Sequence, residues 1–364
     1  MTPAGPGFTP RAKSTKFQAM PAPEQLSERE LRVLEAVVQT YIETAEPAGS
    51  QTIARRFGLG VSPATIRSTM SDLEDKGYLF HPHTSAGRIP TDRAYRIYVN
   101  TIMRLAPLTD EARQTLRSEL SGSRNAVEEI VRRAAQVLGV LTQELGVAVA
   151  PALDELVLER LELVPVSSER LLLVFNLRSG VLRTIFVEVP ARVSPVAVQE
   201  VARILNERLA GLSLFRIRET IGERLRDAAV PTGDGELLNI FVAEREEIFD
   251  LSTETGSVVL GSAQMLADQP EFASNSRMRE LLRLTEGHDL LKQALASRRR
   301  LGLSITIGTE NPDSRLSDFT LVTSSYQAGE LKGVIGVMGP TRMPYDKIIG
   351  LVEHTSRMVE GLLE

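Results

Sequence analysis

The sequence predicts an α+β protein with two parts: a helical N-terminal domain that ends in a small β-hairpin, and a larger α+β domain interrupted by an inserted segment. Between residues 27 and 106, three stretches with the apolar spacing of helices precede two short strand patterns. After residue 107, strand patterns lie on both sides of a block of helical patterns, which indicates an interrupted domain. The predicted segments are an N-terminal arm at 1–26, the N-terminal domain at 27–106, the first part of the larger domain at 107–193, the insertion at 194–272 and the second part at 273–364.

The first predicted helix begins at a capping box, with Ser27 as N-cap and Glu30 three residues later. Its expected buried face is marked by apolar residues at helical spacing, namely Leu31, Leu34, Val38, Tyr41 and Ala45. The segment Glu46-Pro47-Ala48-Gly49 ends this helix.

Two further helices follow closely. Ser50 is expected to cap a short helix over residues 51–57, ended by Gly58. Ser62 and Pro63 open the third helix as N-cap and first helical residue. The inward side chains of this third helix are expected to be Ile66, Met70 and Leu73.

A hairpin and one more helix complete the N-terminal domain. Residues 78–80 and 88–89 are predicted strands joined by a turn-rich loop at 81–87. Thr91 is expected to cap a helix from Asp92 to about Leu105. Three helices followed by a hairpin is the order of a winged helix-turn-helix, which binds duplex DNA.

The larger domain alternates between strand and helix patterns. Strands are predicted at about 159–166, 171–177, 184–189, 302–307, 319–325 and 333–338. Helices are predicted at 126–145, 196–209, 217–228, 236–249 and 345–363.

Composition limits the possible functions. The 364 residues are 42% hydrophobic and 24% charged, as in ordinary globular proteins, and the net charge of −5 requires any DNA-binding surface to be local. The absence of cysteine excludes disulfides, thiolate metal sites and cysteine nucleophiles. No apolar run approaches the ~20 residues of a membrane span, so we expect a cytoplasmic protein. The arm carries five prolines with Arg11, Lys13 and Lys16 and lacks the apolar core of a signal peptide, so we expect it to be disordered.

The third helix is the predicted recognition helix. Its first turns carry small or polar residues apart from Arg67, which suits a helix that enters the major groove. Arg67 can donate two hydrogen bonds to a guanine, or it can pair with Asp72 or a phosphate, and the sequence leaves both readings open. The expected DNA-binding residues are Ser50, Gln51, Arg55, Ser62, Ala64, Thr65, Arg67, Ser68, Thr84, Ser85 and Arg88.

Local charge supports this placement. Residues 50–104 include eight basic and four acidic residues, a local net charge of +4 within a chain of net charge −5. We expect Arg55, Arg56 and Arg88 to contact phosphates and thereby fix the register on DNA.

The other motifs in the sequence give little evidence of a phosphate, metal or catalytic site. The glycine-rich segment 333–339 lacks the Gly-Lys-Ser/Thr of a phosphate loop and is interpreted as a tightly packed strand. Residues 308–311 are interpreted as a strand-ending turn that could also bind a ligand. His81 and His83 have no flanking carboxylate or cysteine, so no metal site is expected. We find no catalytic constellation, and expect neither enzyme activity nor a cofactor.

Several segments resemble the heat-inducible transcription repressor family, HrcA. In the N-terminal domain they are EPAGSQ at 46–51, SPATIR at 62–67, LEDKGY at 73–78 and PHTSAGRIPT at 82–91. Near the C-terminus they are IGTEN at 307–311 and GVIGVMGPTRM at 333–343. The resemblance covers nearly the whole chain apart from the arm.

The resemblance implies a fold and a function. The fold would be a winged helix domain, a GAF-like domain and a dimerising domain inserted into the GAF-like one. The protein would be a homodimer that represses chaperone and chaperonin operons through an inverted-repeat operator called CIRCE. Members of the family depend on the GroEL chaperonin, so unfolded protein that occupies the chaperonin would release repression.

Two other functions remain open at this point. A metabolite in the GAF-like domain could control a winged-helix repressor, in which case small molecules would change operator binding. Alternatively, the protein could be an architectural DNA binder, which would bind scrambled and specific duplexes equally at fixed salt.

Overall fold

The computed structural model describes residues 26–82, 87–121, 127–151, 156–178, 182–189, 193–228, 235–249, 258–298, 302–329 and 331–363. The chain is a mixture of helices and antiparallel sheets, which confirms the α+β class. It forms two compact units, one from Met1–Arg104 with Thr341–Asp346 and the other from Leu105–Pro340 with Lys347–Glu364. Within the described residues, no helix is both long and apolar enough to cross a membrane.

The first unit follows the element order predicted for residues 27–106. Its elements are α1 (Glu28–Thr44), α2 (Ser50–Phe57), α3 (Pro63–Asp75), β1 (Leu79–Phe80), β2 (Ile89–Pro90) and α4 (Asp92–Ile97), which continues as a π-helical turn over Tyr98–Ile102. The strands β1 and β2 pair antiparallel. Leu34, Ile53, Ile66 and Leu73 are fully buried and bring the three helices around one core.

The helix starts confirm most of the predicted caps. The Ser27 capping box is present, and Ser62 and Thr91 each accept a backbone hydrogen bond at the start of α3 and α4. The buried face of α1 is rotated from the predicted one, because Val33 and Ala36 are buried whereas Leu31 and Tyr41 are only half-buried. The helix that begins at Asp92 ends at Ile102, three residues before the predicted end.

The Glu30 carboxylate connects α1 to the end of α3. It accepts hydrogen bonds from the Ser27 backbone N–H at 2.7 Å and from Lys76 Nζ at 2.6 Å. The hydrogen bond from Lys76, assisted by those from Ser27, lowers the pKa of Glu30 from 4.5 to about 2 despite its burial. Since folding lowers this pKa, the stabilisation is complete above pH 4.5 and is lost as the pH falls from 4.5 towards 2.

Replacing Glu30 should therefore destabilise the first unit more at neutral pH than at acidic pH. We expect Glu30→Gln to lower the free energy of unfolding at pH 7 by about 1–2 kcal/mol, through the loss of the cap and the ion pair. Denaturant unfolding at pH 7 and pH 2.5 measures this difference, which should shrink at the lower pH. Glu28→Gln, at an exposed carboxylate of the same helical turn, is the matched control. An equal loss at both pH values would contradict the prediction.

The second unit contains most of the remaining elements. Its helices are α5 (Asp110–Ser121), α6 (Val127–Thr142), α7 (Pro195–Leu209), α8 (Leu214–Leu225), α9 (Gly235–Ala243), α10 (Arg245–Phe249), α11 (Gln264–Ala267), α12 (Asn275–Glu286), α13 (His288–Ala296) and α14 (Tyr345–Leu363). Its strands are β3 (Leu145–Val149), β4 (Leu158–Ser167), β5 (Arg170–Leu177), β6 (Leu182–Glu188), β7 (Val258–Leu260), β8 (Leu303–Ile307), β9 (Phe319–Ala328) and β10 (Leu331–Pro340).

These strands form two separate antiparallel sheets. One has five strands in the order β7-β3-β10-β9-β8, and the other has three in the order β4-β5-β6. The core of the smaller sheet is shared with α7 and α8 through side chains such as Leu161, Phe175, Val201 and Ile217. The interruption of the five-stranded sheet therefore begins after Val149 and ends before Val258, not at 194 and 272 as predicted.

Two physical reasons explain this difference. The alternation of apolar and polar residues in β4–β6 indicates a sheet with one buried face, but it does not determine which sheet the strands join. Every residue of β3 is buried, so its continuous apolar run has no strand period; the sequence predicts no strand there, and the helix predicted to end at 145 overlaps its first residue. That helix ends at Thr142 because Gln143 adopts a left-handed backbone with φ of +58°.

One face of the three-stranded sheet carries apolar side chains that the core does not cover. Val164, Leu172 and Phe186 lie opposite one another across the three strands, and Phe186 is 59% exposed. Val174 and Leu182 lie on the same face. We call these five side chains the outer sheet face.

The second unit also buries a cation without a carboxylate partner among the described residues. Arg298 is 4% exposed, and its guanidinium contacts the Ala294 carbonyl and the hydroxyls of Ser304, Thr306 and Thr323. Burial lowers the pKa of Arg298 from its usual value to about 10. Neutral hydrogen bonds compensate only part of the cost of desolvating this charge.

An apolar side chain of similar length should consequently stabilise the unit. We expect Arg298→Met to raise the free energy of unfolding by roughly 1–4 kcal/mol, as when buried ionic groups elsewhere are replaced by apolar ones. Chemical denaturation of the full chain measures the change. Arg298→Ala is the control, because it removes the same charge but leaves a cavity. A less stable Met variant would show that the hydrogen bonds outweigh desolvation.

Candidate nucleic-acid interface

The start of α3 presents small polar groups to solvent. The Ser62 hydroxyl accepts the backbone N–H of Thr65 at 3.1 Å and lies 3.0 Å from the Thr65 hydroxyl. Pro63 occupies the first turn, where its missing N–H costs no hydrogen bond. Ser62, Ala64 and Ser68 are exposed, whereas Thr65 is half-buried. The exposed side chains in the first two turns of α3 are therefore short, apart from that of Arg67.

The start of α2 differs from the prediction in its cap. Gly49 is the N-cap and Ser50 is the first helical residue, buried and without a capping hydrogen bond. Glycine is a competent N-cap because its backbone readily adopts the extended conformation found here. Because Gly49 has no side chain, the first N–H groups of α2 have no side-chain acceptor and suit an anion such as a phosphate.

A groove of about 550 Å³ brings together some of the predicted residues of α2, α3 and the hairpin, but its lining does not include Ser62, Ala64, Thr65 or Ser68. Arg55 and Arg67 are both exposed at this groove. Neither has an ion-pair partner in the part of the chain that the structure describes, so the alternative pairing of Arg67 with Asp72 is not formed. The lining of this groove includes five predicted site residues, which are Ser50, Gln51, Arg55, Arg67 and Arg88.

The other cations of this region hold the unit together. Arg56, a predicted phosphate contact, pairs with Glu43, and the sequence prediction did not include this partner. Lys76 pairs with Glu30, and Arg93 donates to the Lys76 carbonyl while lying 4.5 Å from the Tyr78 ring centroid. Arg55 and Arg67 differ from these cations in having no ion-pair partner among the described residues.

Arg88, a predicted phosphate contact, is also paired within the unit, with a partner that the sequence prediction did not include. Its Nη2 lies 2.8 Å from Glu74 Oε2, and its side chain is only 16% exposed. Its backbone N–H and carbonyl bond to Ala48 at 3.0 and 2.9 Å. Thr84 and Ser85, the other predicted hairpin residues, lie outside the described residues.

The sequence interpretation missed Glu74 and His81. His81 lines the groove, and Glu74 binds Arg88. Glu74 follows Arg67 by seven residues, which places both on one face of α3, and this spacing was the available signal. The pairing of Glu74 with a residue beyond the hairpin turn depends on tertiary structure.

The two other motifs are structural in the described residues. A Cβ on Gly336 would lie 2.1 Å from the Val322 carbonyl oxygen, so this glycine allows β9 and β10 to pack, as expected of a tightly packed strand. The Asn311 amide lies within hydrogen-bond distance of the carbonyls of Gly308, Leu316 and Phe319. It fixes the turn that ends β8.

Comparisons with known proteins point to one family. A family model described as the HrcA protein C-terminal domain matches residues 128–349. The Heat-inducible transcription repressor HrcA of Chlorobium phaeobacteroides (strain BS1) is 39% identical over 340 residues, covering 90% of this chain and 96% of the relative. The repressor of the same name from Chlorobium phaeovibrioides is 38% identical over 355 residues, covering 93% and 98%.

A solved structure supports the fold alone. The crystal structure of a hypothetical protein matches with a TM-score of 0.66 and 22% sequence identity, covering 93% of this chain and 99% of that one.

Proposed function

This chain belongs to the HrcA family of heat-inducible transcription repressors, and from that premise we propose that it is a transcriptional repressor that binds duplex DNA through a winged helix-turn-helix at residues 27–106. The observation that carries the DNA-binding proposal is that Arg55 and Arg67 lie at one groove and that neither forms an ion pair within the described residues. In this proposal α3 enters the major groove and the hairpin lies beside it as the wing. The chain acts by binding and not as an enzyme.

Most of the predicted side chains can be given a role in this interface. Arg67 reads a base edge, since no acidic neighbour in the described chain competes for its guanidinium. Arg55 and the N–H groups at the start of α2, beside Gln51, bind phosphates and fix the register. The backbone of α3 can approach the bases because four side chains near its start are short, those of Ser62, Ala64, Thr65 and Ser68. Thr84 and Ser85 would contact the DNA backbone from the wing.

We propose that the repressor is a homodimer joined through the outer sheet face. Phe186, Leu182 and Val164 are exposed apolar side chains on adjacent strands, and a second copy would remove them from water. Two copies related by a twofold axis would present two α3 helices to an inverted repeat. The interrupted five-stranded sheet would be the GAF-like domain, and the segment between Val149 and Val258 would be its inserted dimerising domain.

The regulatory proposal follows from the family. The operator is an inverted repeat of the CIRCE type upstream of chaperone and chaperonin operons. Repression requires a GroEL-type chaperonin, and unfolded protein released by heat competes for that chaperonin. The protein would act in the cytoplasm, associated with the nucleoid. A marginally stable fold makes such control sensitive, because a change of 1–2 kcal/mol alters the functional fraction several-fold.

A gel shift at fixed physiological salt tests the proposal. The probes are an inverted-repeat duplex and a scrambled duplex of the same length and composition. We expect a preference for the inverted repeat of about 10³-fold or more, the lower end for specific regulators. Heat-treated protein should regain binding when chaperonin is added. Equal binding to both duplexes would reject sequence-specific repression.

A second experiment distinguishes control by a metabolite from control through folding. The same shift is repeated with the small-molecule fraction of a cell extract and no chaperonin. Unchanged operator binding supports control through folding, whereas a reproducible change would favour a ligand in the GAF-like domain.

A further inference from the structure

The Arg88–Glu74 ion pair joins the hairpin to the predicted recognition helix. Arg88 immediately precedes β2, and Glu74 lies in the last turn of α3. The two side chains meet at 2.8 Å, with 16% and 28% of their surfaces exposed. Arg88 Nε is buried with no hydrogen-bond acceptor in the described part of the chain. This arginine is thus embedded in the unit while its edge lines the groove.

The backbone around Arg88 is fixed as well. Arg88 and Ala48 exchange two backbone hydrogen bonds, which attach the hairpin to the segment before α2. The neighbouring Gly87 permits this approach, since a Cβ there would lie 2.3 Å from the Ala48 carbonyl oxygen. The hairpin base is therefore held to the segment before α2 by its backbone and to α3 by the Arg88 side chain.

Glu74 also places a carboxylate on the same helical face as Arg67, two turns further along. Glu74 does not line the groove, but a carboxylate left uncompensated beside the groove-lining Arg88 would repel DNA. Pairing with Arg88 neutralises that charge and at the same time fixes the distance between α3 and the hairpin.

We propose that Arg88 is a positioning residue for DNA binding: it holds the hairpin against α3 through Glu74 and does not itself contact a phosphate. This inference rests on the proposed DNA-binding function. It differs from a phosphate-contact role in one decisive respect. A positioning pair works when its two charges are exchanged, whereas a phosphate contact requires the cation at position 88.

The charge-exchange variant R88E/E74R tests the proposal. Affinity for the inverted-repeat duplex is measured from low to physiological salt, for the wild type, R88E and R88E/E74R. We expect R88E to lose at least about tenfold in affinity, because two carboxylates then face each other. The exchanged double variant should return to within about threefold of the wild type, with an unchanged slope of log affinity against log salt. A double variant that binds as weakly as R88E, with a slope lower by about one phosphate, would overturn the proposal.

Two further variants secure the interpretation. Arg55→Met should lower the salt slope by about one, which shows that the assay detects a single phosphate contact. If the wild type shows no preference for the inverted repeat, the proposed function fails, independently of Arg88.

Thermal unfolding of each variant checks folding. If the exchanged pair does not fold, R88M/E74M preserves the net charge. It should bind more weakly with an unchanged slope, and a slope reduced by about one would overturn the proposal.

Discussion

Phe186→Asp should convert the proposed dimer into monomers and weaken binding to a full inverted repeat by about 10²–10⁴-fold, the gain that linked binding sites typically provide. Phe186 lies on the middle row of the outer sheet face, opposite Leu172 and in line with Val164. An aspartate at this position would place a charge in an apolar contact, where desolvation without a partner is costly. A single half-site contacts only one copy, so its affinity should not change.

Sedimentation and operator titration measure this effect together. Val196→Asp is the matched control, because Val196 is 62% exposed on α7 and lies away from the outer sheet face. The control should remain dimeric and bind the full operator normally. If Phe186→Asp remained dimeric at micromolar concentration, the outer sheet face would not be the dimer interface.

Arg67→Met should remove discrimination at one base pair of each half-site while leaving other positions intact. The guanidinium of Arg67 is exposed, faces the groove and has no ion-pair partner among the described residues. A bidentate arginine–guanine contact contributes roughly 1–3 kcal/mol of discrimination, so we expect up to about a 100-fold loss at that base pair. Methionine retains much of the side-chain length but none of the donors.

An operator library with single base changes measures this loss. Arg55→Met is the comparison, because a phosphate contact should weaken all library members alike. A uniform loss for Arg67→Met would assign that residue to the backbone instead of a base.

Local chemistry made part of the structure predictable. The capping box of Ser27 and Glu30 and the Ser62-Pro63 start of α3 use side chains within three residues of the backbone groups they satisfy. The last helix was predicted with its observed bounds, Tyr345–Leu363, because its apolar spacing is regular. Such features depend on neighbours in sequence.

Features that depend on distant contacts were missed. The sequence showed β4, β5 and β6 as strands, but only the fold reveals that they form their own sheet with α7 and expose Phe186. The candidate interface shows the same limit. Arg55 and Arg67 were predicted and lie at one groove, whereas Arg88 is occupied by Glu74 across the hairpin. Charge in a sequence does not reveal whether an internal partner already neutralises it.

The most direct test of a dimer that reads DNA through α3 is a hydroxyl-radical footprint on an inverted-repeat operator, combined with the mass of the complex. We expect two symmetric protected sets whose centres are separated by whole helical turns of about 10–10.5 base pairs, with two chains per duplex. One protected set with a single chain bound, or protection that is independent of sequence, would contradict a dimeric repressor.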